Sequence, residues 1–220
     1  MRKMIFILAL LLIGTVALSG CLQPVSQEIK ELASVEVRDY EGENLSSITD
    51  FRENSIKGVQ YVDIDDYTLT VSGLVDETKN YTYDEVLGFP AYSKVVTLYC
   101  VEGWDAKILW EGVKLVDLLE ASGIQEGANT VIFHAYDGYT SSLSLDYVLE
   151  NDILLAYKMN RVTIPPERGF PFQVVAEDKW GYKWVKWVTQ IQLSDNPEYK
   201  GTWEAVGYNV NGNVSGSKFE

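Results

Sequence analysis

The sequence is poor in the residues that bind metals and form disulfides. It has one histidine, His134, and two cysteines, Cys21 and Cys100. A zinc site of four cysteines, of two cysteines and two histidines, or of three histidines cannot be assembled from that inventory. A disulfide requires both cysteines in one folded unit. Cations are scarce too: 18 Lys and Arg stand against 32 Asp and Glu, a formal charge of −14. That balance argues against nucleic acid as a partner, because phosphate contacts need a surplus of Lys and Arg. What is present is core-forming: 46% of the 220 residues are hydrophobic and 23% charged. Such a chain folds rather than staying disordered.

The N-terminus reads as a targeting segment. Arg2 and Lys3 precede an apolar run from Met4 to Ile13, and Leu18-Ser19-Gly20-Cys21 closes it with small residues. The run is short for spanning about 30 Å of hydrocarbon. Leu-Ser-Gly-Cys resembles the lipobox of prokaryotic lipoproteins, which implies lipidation of Cys21 as the new N-terminus. The expectation is an extracytoplasmic protein held at the membrane by a lipid anchor. Removing residues 1–20 takes away Arg2 and Lys3 and no acid, deepening the charge from −14 to −16. Cys100 then has no disulfide partner, and a retained lone thiol needs a reason.

Along the chain we expect a tether and N-terminal extension over 21–58, one domain over 59–195 and a patternless C-terminal extension over 196–220. The tether runs to about Leu32, Val35–Arg38 is a short strand, and 54–58 is a loop. Tyr67–Gly73 alternates strictly and ends at Gly, a strand signal. Thr82 with Glu85 three residues on predicts a capped helix start. Val95–Tyr99 is a strand that delivers Cys100 at its end. Trp110–Val113 leads into Lys114–Ala121, a helix stopped by Gly123, and Ser144–Leu149 is a short helix. Further strands are expected at Thr130–Ala135, Ile153–Met159, Phe172–Ala176 and Val185–Leu193, with a turn at Asn160-Arg161. Strands outnumber helices in mixed order, so the fold class is α+β, with mixed sheets and short helices.

Two segments carry chemistry. Cys100 stands between an apolar strand and a Gly-containing turn, either as a buried apolar cysteine or as a ligand in a site. Residues 179–187 interleave Lys179, Lys183 and Lys186 with aromatics. In so acidic a chain this is either a Lys-blunted strand edge or a seat for a phosphate. Tyr139, Thr140, Ser141 and Ser142 read equally as pocket hydroxyls or as caps of a turn. His134 reads as a structural histidine.

Five blocks taken together resemble the oxidoreductase molybdopterin-binding domain of the sulfite oxidase superfamily. They are 100–104 (CVEGW), 109–115 (LWEGVKL), 138–143 (GYTSSL), 165–172 (PPERGFPF) and 180–187 (WGYKWVKW). The similarity spans about Val59 to Leu193, and it is strongest to the small branch that includes the periplasmic methionine sulfoxide reductase. The resemblance implies a Mo-molybdopterin cofactor whose metal takes one protein thiolate, here Cys100. A soft thiolate on a transition metal is chemically sound, and one available cysteine suffices for it. Trp184, Val185 and Lys186 match the segment that holds the pterin phosphate, with Lys183 as a second cation. Asn54 lies in a candidate pterin-contacting loop, and Tyr139, Ser141 and Ser142 are candidate lining.

This chain departs from the family pattern in several places. Arg168 stands where the family often has His or Asn before the Gly. Gln173 replaces a common Arg and removes a fork-shaped phosphate donor, for which Arg168 is the expected substitute. Ala135 stands where the sulfoxide reductase has Thr. Glu102 and Asp105 have the wrong sign for the anion pocket of sulfite oxidases. Arg2-Lys3 is not the arginine pair of the signal that exports folded cofactor proteins.

The expected function is oxo transfer to or from a small S- or N-oxide, with a redox partner protein exchanging electrons. The alternative is a cofactor-free binding module of the same fold, holding a small anion or a partner protein. A cysteine protease would need His134 beside Cys100, which nothing in the spacing demands.

Overall fold

The computed structural model describes residues 26–220, so the expected signal segment and Cys21 lie outside the described residues. The chain opens with helix α1 (Gln27–Ala33), where Ser26 Oγ caps the amide of Ile29. Ile29 is almost fully buried and joins the core. The expected tether is therefore packed on the body from residue 27, because one apolar side chain on a capped turn finds a place there. Strands β1 (Asp39–Tyr40) and β2 (Glu43–Asn44) form a hairpin through Glu41-Gly42, both at positive φ. The strand expected at Val35–Arg38 is absent. Instead Glu36 is inserted as an acceptor for the Ile48 amide and Asn160 Nδ2.

Next come β3 (Leu69–Gly73), β4 (Lys79–Tyr81) and α2 (Tyr83–Leu87), whose capping box pairs Thr82 with Glu85 as expected. They are followed by β5 (Tyr92–Tyr99), β6 (Asp105–Lys114) and α3 (Leu115–Ser122), stopped at Gly123 with φ 71°. Then come β7 (Thr130–Ala135), β8 (Thr140–Ser144), α4 (Leu145–Glu150) and β9 (Leu154–Met159). The last strands are β10 (Val162–Thr163), β11 (Gln173–Val175) and β12 (Val188–Ser194).

They build two five-stranded sheets around one hydrophobic core. One runs β10-β9-β6-β5 with β11 also on β9; the other runs β4-β3-β12-β7-β8. Among the strands of the described residues only β3 and β12 pair in parallel, with an isolated parallel bridge between Tyr99 and Trp180. Trp110, Phe133, Phe172 and Trp187 fill the core between them.

Two expectations are corrected here, and one segment is filled in. Trp110–Val113, expected only to lead into the helix, is the second half of β6. Gly112 marks a register shift against β9 rather than a reversal. A Cβ there would lie 2.2 Å from Leu155 O, so the two backbones approach only because residue 112 has no side chain. The strand expected to begin at Val185 begins at Val188. Trp187 adopts φ 51°, which breaks the ladder; Val185 O instead accepts from the Val174 amide, and Lys186 and Trp187 bond the 166–169 segment. The expected patternless C-terminus is built into the fold. Gly201 lies against the backbone of Thr140 and Ser141, and Glu204 is completely buried.

Glu111 on β6 accepts from Lys158 at 2.9 Å and Arg161 at 2.5 Å. Burial pushes its carboxyl up, but these two donors outweigh it and hold it below its usual range. Its contribution to stability is therefore fully present above about pH 4.5. It is lost as pH falls through the lower folded value. Acid unfolding of Glu111→Gln should show a shallower decline of stability below that pH than the parent, read from denaturant midpoints.

Candidate cofactor-binding cavity

Strand β5 ends at Tyr99 and places Cys100 at the floor of a cavity of about 450 Å³. A tight turn follows: the Cys100 amide donates to Trp104 O at 2.9 Å, and the Gly103 amide to Cys100 O at 3.1 Å. The turn aims the Glu102 amide at Cys100 Sγ, 3.5 Å away. Asn54 Nδ2 approaches the same sulfur at 3.7 Å and donates to Glu102 Oε2 at 3.3 Å. Burial pushes the thiol above its ordinary range. The Glu102 amide, Asn54 and Lys218 oppose that shift, while the Glu102 carboxylate adds to it.

The same wall holds two largely buried cations, beside the exposed Arg52. Arg168 ends a short 3-10 turn. It donates from Nε to Ile48 O at 2.9 Å and from Nη2 to Phe51 O at 2.5 Å, with its guanidinium 4.0 Å from the Phe51 ring centroid. Burial lowers its pKa to about 10. Lys186 donates to Glu53 Oε1 at 2.6 Å and to Glu167 O at 3.4 Å. Burial pulls its amine down, with Glu53 opposing. Gly169, at φ 108°, makes this position possible, since a Cβ on it would meet Lys186 Cβ at 2.9 Å.

The structure brings Cys100, Asn54, Tyr139, Arg168, Trp184 and Lys186 to one cavity, along with Gln173. It does not bring Ser141, Ser142, Lys183 or Val185 there. The 3-10 turn Gly181–Lys183 sends the Lys183 side chain behind the wall, where Nζ bonds Glu204 Oε1 at 2.6 Å and Ser142 O at 3.0 Å. Ser141 Oγ donates to the same Glu204 oxygen, and Ser142 Oγ to Tyr199 O. Val185 is core. Lys179 bonds Asn213, so the lysines of 179–187 are divided among three places. His134 sits on β7 against Gln192 and is not in the cavity wall, leaving Cys100 without a histidine base. Glu53, Trp203 and Tyr208 line the cavity and were missed. Only the adjacency of Glu53 to Asn54 offered a signal for any of them.

The chemistry of the wall suits a phosphorylated pterin. Among the described residues, Glu167 Oε2 and Ser55 Oγ are buried without a hydrogen-bond partner, and both residues face the cavity. A pterin ring carries N–H donors for the first and acceptors for the second. Cys100 offers the single soft ligand, and Lys186 and Arg168 offer cations for a phosphate.

Comparison with known proteins agrees with this geometry. The profile of the oxidoreductase molybdopterin binding domain family matches residues 56–203. The oxidoreductase YuiH of Bacillus subtilis is 37% identical over 153 residues, 69% of this chain and 77% of that one. The protein-methionine-sulfoxide reductase catalytic subunit MsrP of Campylobacter jejuni is 26% identical over 210 residues, 84% of this chain and 68% of that one. The crystal structure of the sulfane dehydrogenase SoxCD from Paracoccus pantotrophus superposes with a TM-score of 0.61 at 23% identity. That match covers 63% of this chain and 41% of the other, a likeness of fold. The α+β fold of the sulfite oxidase type expected from the sequence is thus the fold found. With a family profile covering two-thirds of its length and a thiol and two cations in one cavity, the chain belongs to the oxidoreductase molybdopterin-binding domain family.

Proposed function

We propose that this protein is a lipid-anchored, extracytoplasmic molybdopterin-dependent oxidoreductase that moves an oxygen atom to or from a small S- or N-oxide. The observation that carries the reading is Cys100: a lone thiol in a cavity wall that offers it hydrogen-bond donors and no histidine base. The bound group would supply two-electron oxo-transfer chemistry, which the side chains alone cannot perform. Cys100 would hold the metal, and Lys186 and Arg168 the phosphate. Glu102 Oε2 lies near the thiol through Asn54, so a neutral oxide suits the site better than an anion such as sulfite. Reducing such an oxide consumes two electrons and two protons and releases water, so a redox partner protein must deliver the electrons.

The anchor rests on the Cys21 motif. Among the described residues no helix is long and apolar enough to cross a membrane. A second reading, a cofactor-free module holding a small anion, is favoured by Gln173 in the wall and by the carboxylate already seated on Lys186.

One experiment separates the two readings. Protein is purified from membranes of its native host, assayed for molybdenum, and incubated with reduced viologen dye and a panel of S- and N-oxides. Stoichiometric metal and oxide-dependent dye oxidation are expected, with the protein moving to the soluble fraction in Cys21→Ser. Metal-free native protein would sink the enzyme reading.

A further inference from the structure

The stretch from Phe51 to Ile56 contributes six consecutive residues to the cavity wall and belongs to no helix or strand. All but its last residue precede the segment matched by the family profile. Its contacts are made to the residues that would hold the cofactor. Glu53 takes the amine of Lys186. Phe51 offers Arg168 its carbonyl and its ring, and stacks on Trp104 at 5.6 Å. Asn54 reaches Cys100 Sγ. Ser55 Oγ is buried with no partner. The strap thus occupies the cations and the thiol together.

Charge counting shows what this means for an anionic ligand. Arg52, Arg168 and Lys186 are the cations of the wall, against the carboxylates of Glu53, Glu102, Asp137 and Glu167. A phosphate entering this acid surplus beside Glu53 would meet repulsion in a poorly screened place. Exchange avoids it, with phosphate oxygens taking the Lys186 amine and Glu53 leaving for solvent. The exchange is local, because the Glu53 side chain is 23% exposed and that of Lys186 15%.

We propose that Glu53 is a stand-in anion, a positioning residue that holds Lys186 and the 51–56 strap in place until a phosphate-bearing ligand displaces it. The proposal rests on reading Lys186 as the phosphate seat. It adds that loading resets the strap. Because Asn54 follows Glu53 directly, an event at the phosphate seat reaches the Cys100 thiol through one peptide unit.

The test uses the full chain made in a host unable to synthesise molybdopterin. Inorganic phosphate and pyrophosphate are titrated by calorimetry at constant ionic strength, and amide exchange is followed over residues 51–56. Glu53→Gln keeps an acceptor for Lys186 and removes the charge; Glu53→Ala serves as a second variant. Both should bind phosphate at least about tenfold more tightly than the parent, and Lys186→Met should abolish binding. Phosphate should speed exchange at 51–56 in the parent and leave it unchanged in Lys186→Met. Equal or weaker binding in both Glu53 variants, with binding still lost in Lys186→Met, overturns the stand-in role alone. Binding that survives Lys186→Met overturns the phosphate seat, and the stand-in with it.

Discussion

Cys100→Ser should yield a folded protein that has lost its molybdenum. The substitution exchanges sulfur for oxygen at a wall position and changes little volume, so the unfolding midpoint should stay near the parent's. The ligand chemistry changes completely. A thiolate is soft, and a serine hydroxyl at neutral pH is neither soft nor ionised. Burial raises the pKa of the free Cys100 thiol, which works against the thiolate, so metal binding must displace the proton against that bias. The Glu102 amide and Asn54 Nδ2 are placed to stabilise the resulting negative sulfur. Removing an outer partner of a metal ligand typically costs 10- to 100-fold in affinity, so removing the ligand itself should exceed about 100-fold. Elemental analysis and the dye assay read this together. A Cys100→Ser protein that retained stoichiometric metal and oxo transfer would refute the assignment.

Lys183→Met should be strongly destabilising although it lies behind the cavity wall. Lys183 and Glu204 are both fully buried, with Nζ and Oε1 2.6 Å apart. Burial pulls the Lys183 amine below its usual range, with Glu204 opposing. Glu204 also accepts from Ser141, while its second oxygen has no partner among the described residues. Removing the lysine leaves that carboxylate uncompensated, which costs about 3–5 kcal/mol. Against a typical total of about 5–15 kcal/mol, this brings the protein near its threshold. The double variant Lys183→Met with Glu204→Leu should recover most of the loss, because two apolar side chains need no counter-charge. Chemical denaturation checks both. A single-variant cost under about 1 kcal/mol would mean the pair is hydrated rather than buried.

Most of the fold was legible because its signals are local. Alternation over Tyr67–Gly73, the Thr82–Glu85 box and the Gly123 stop each depend on a few neighbouring residues; the box and the stop appear where expected and the strand starts two residues late, at Leu69. Errors arose where a distant partner decides. Nothing local shows that Trp110–Val113 completes β6, because the backbone against Gly112 is that of Leu155, far along the chain. The alternation through Val185–Trp187 continues on paper, but the positive φ of Trp187 ends it. In the site, Lys183 and Lys186 look equivalent by composition. They separate because a 3-10 turn sends one behind the wall to Glu204, 21 residues later, while the other packs on Gly169 and faces the cavity. No local pattern marks Glu204 as the counter-ion of Lys183.

The parallel pairing of β3 with β12 carries a temporal consequence. It joins residues 70–73 to residues 190–193, with the cores of both sheets assembled between them. Such long-range pairing makes folding slow, since the loop entropy is spent before the contacts are gained. The cavity wall likewise draws on positions from Phe51 to Tyr208. A chain emerging from a ribosome or a translocon therefore has no binding cavity until nearly all of it has emerged. A ligand that needs the whole wall can therefore bind there only after the sheets have closed.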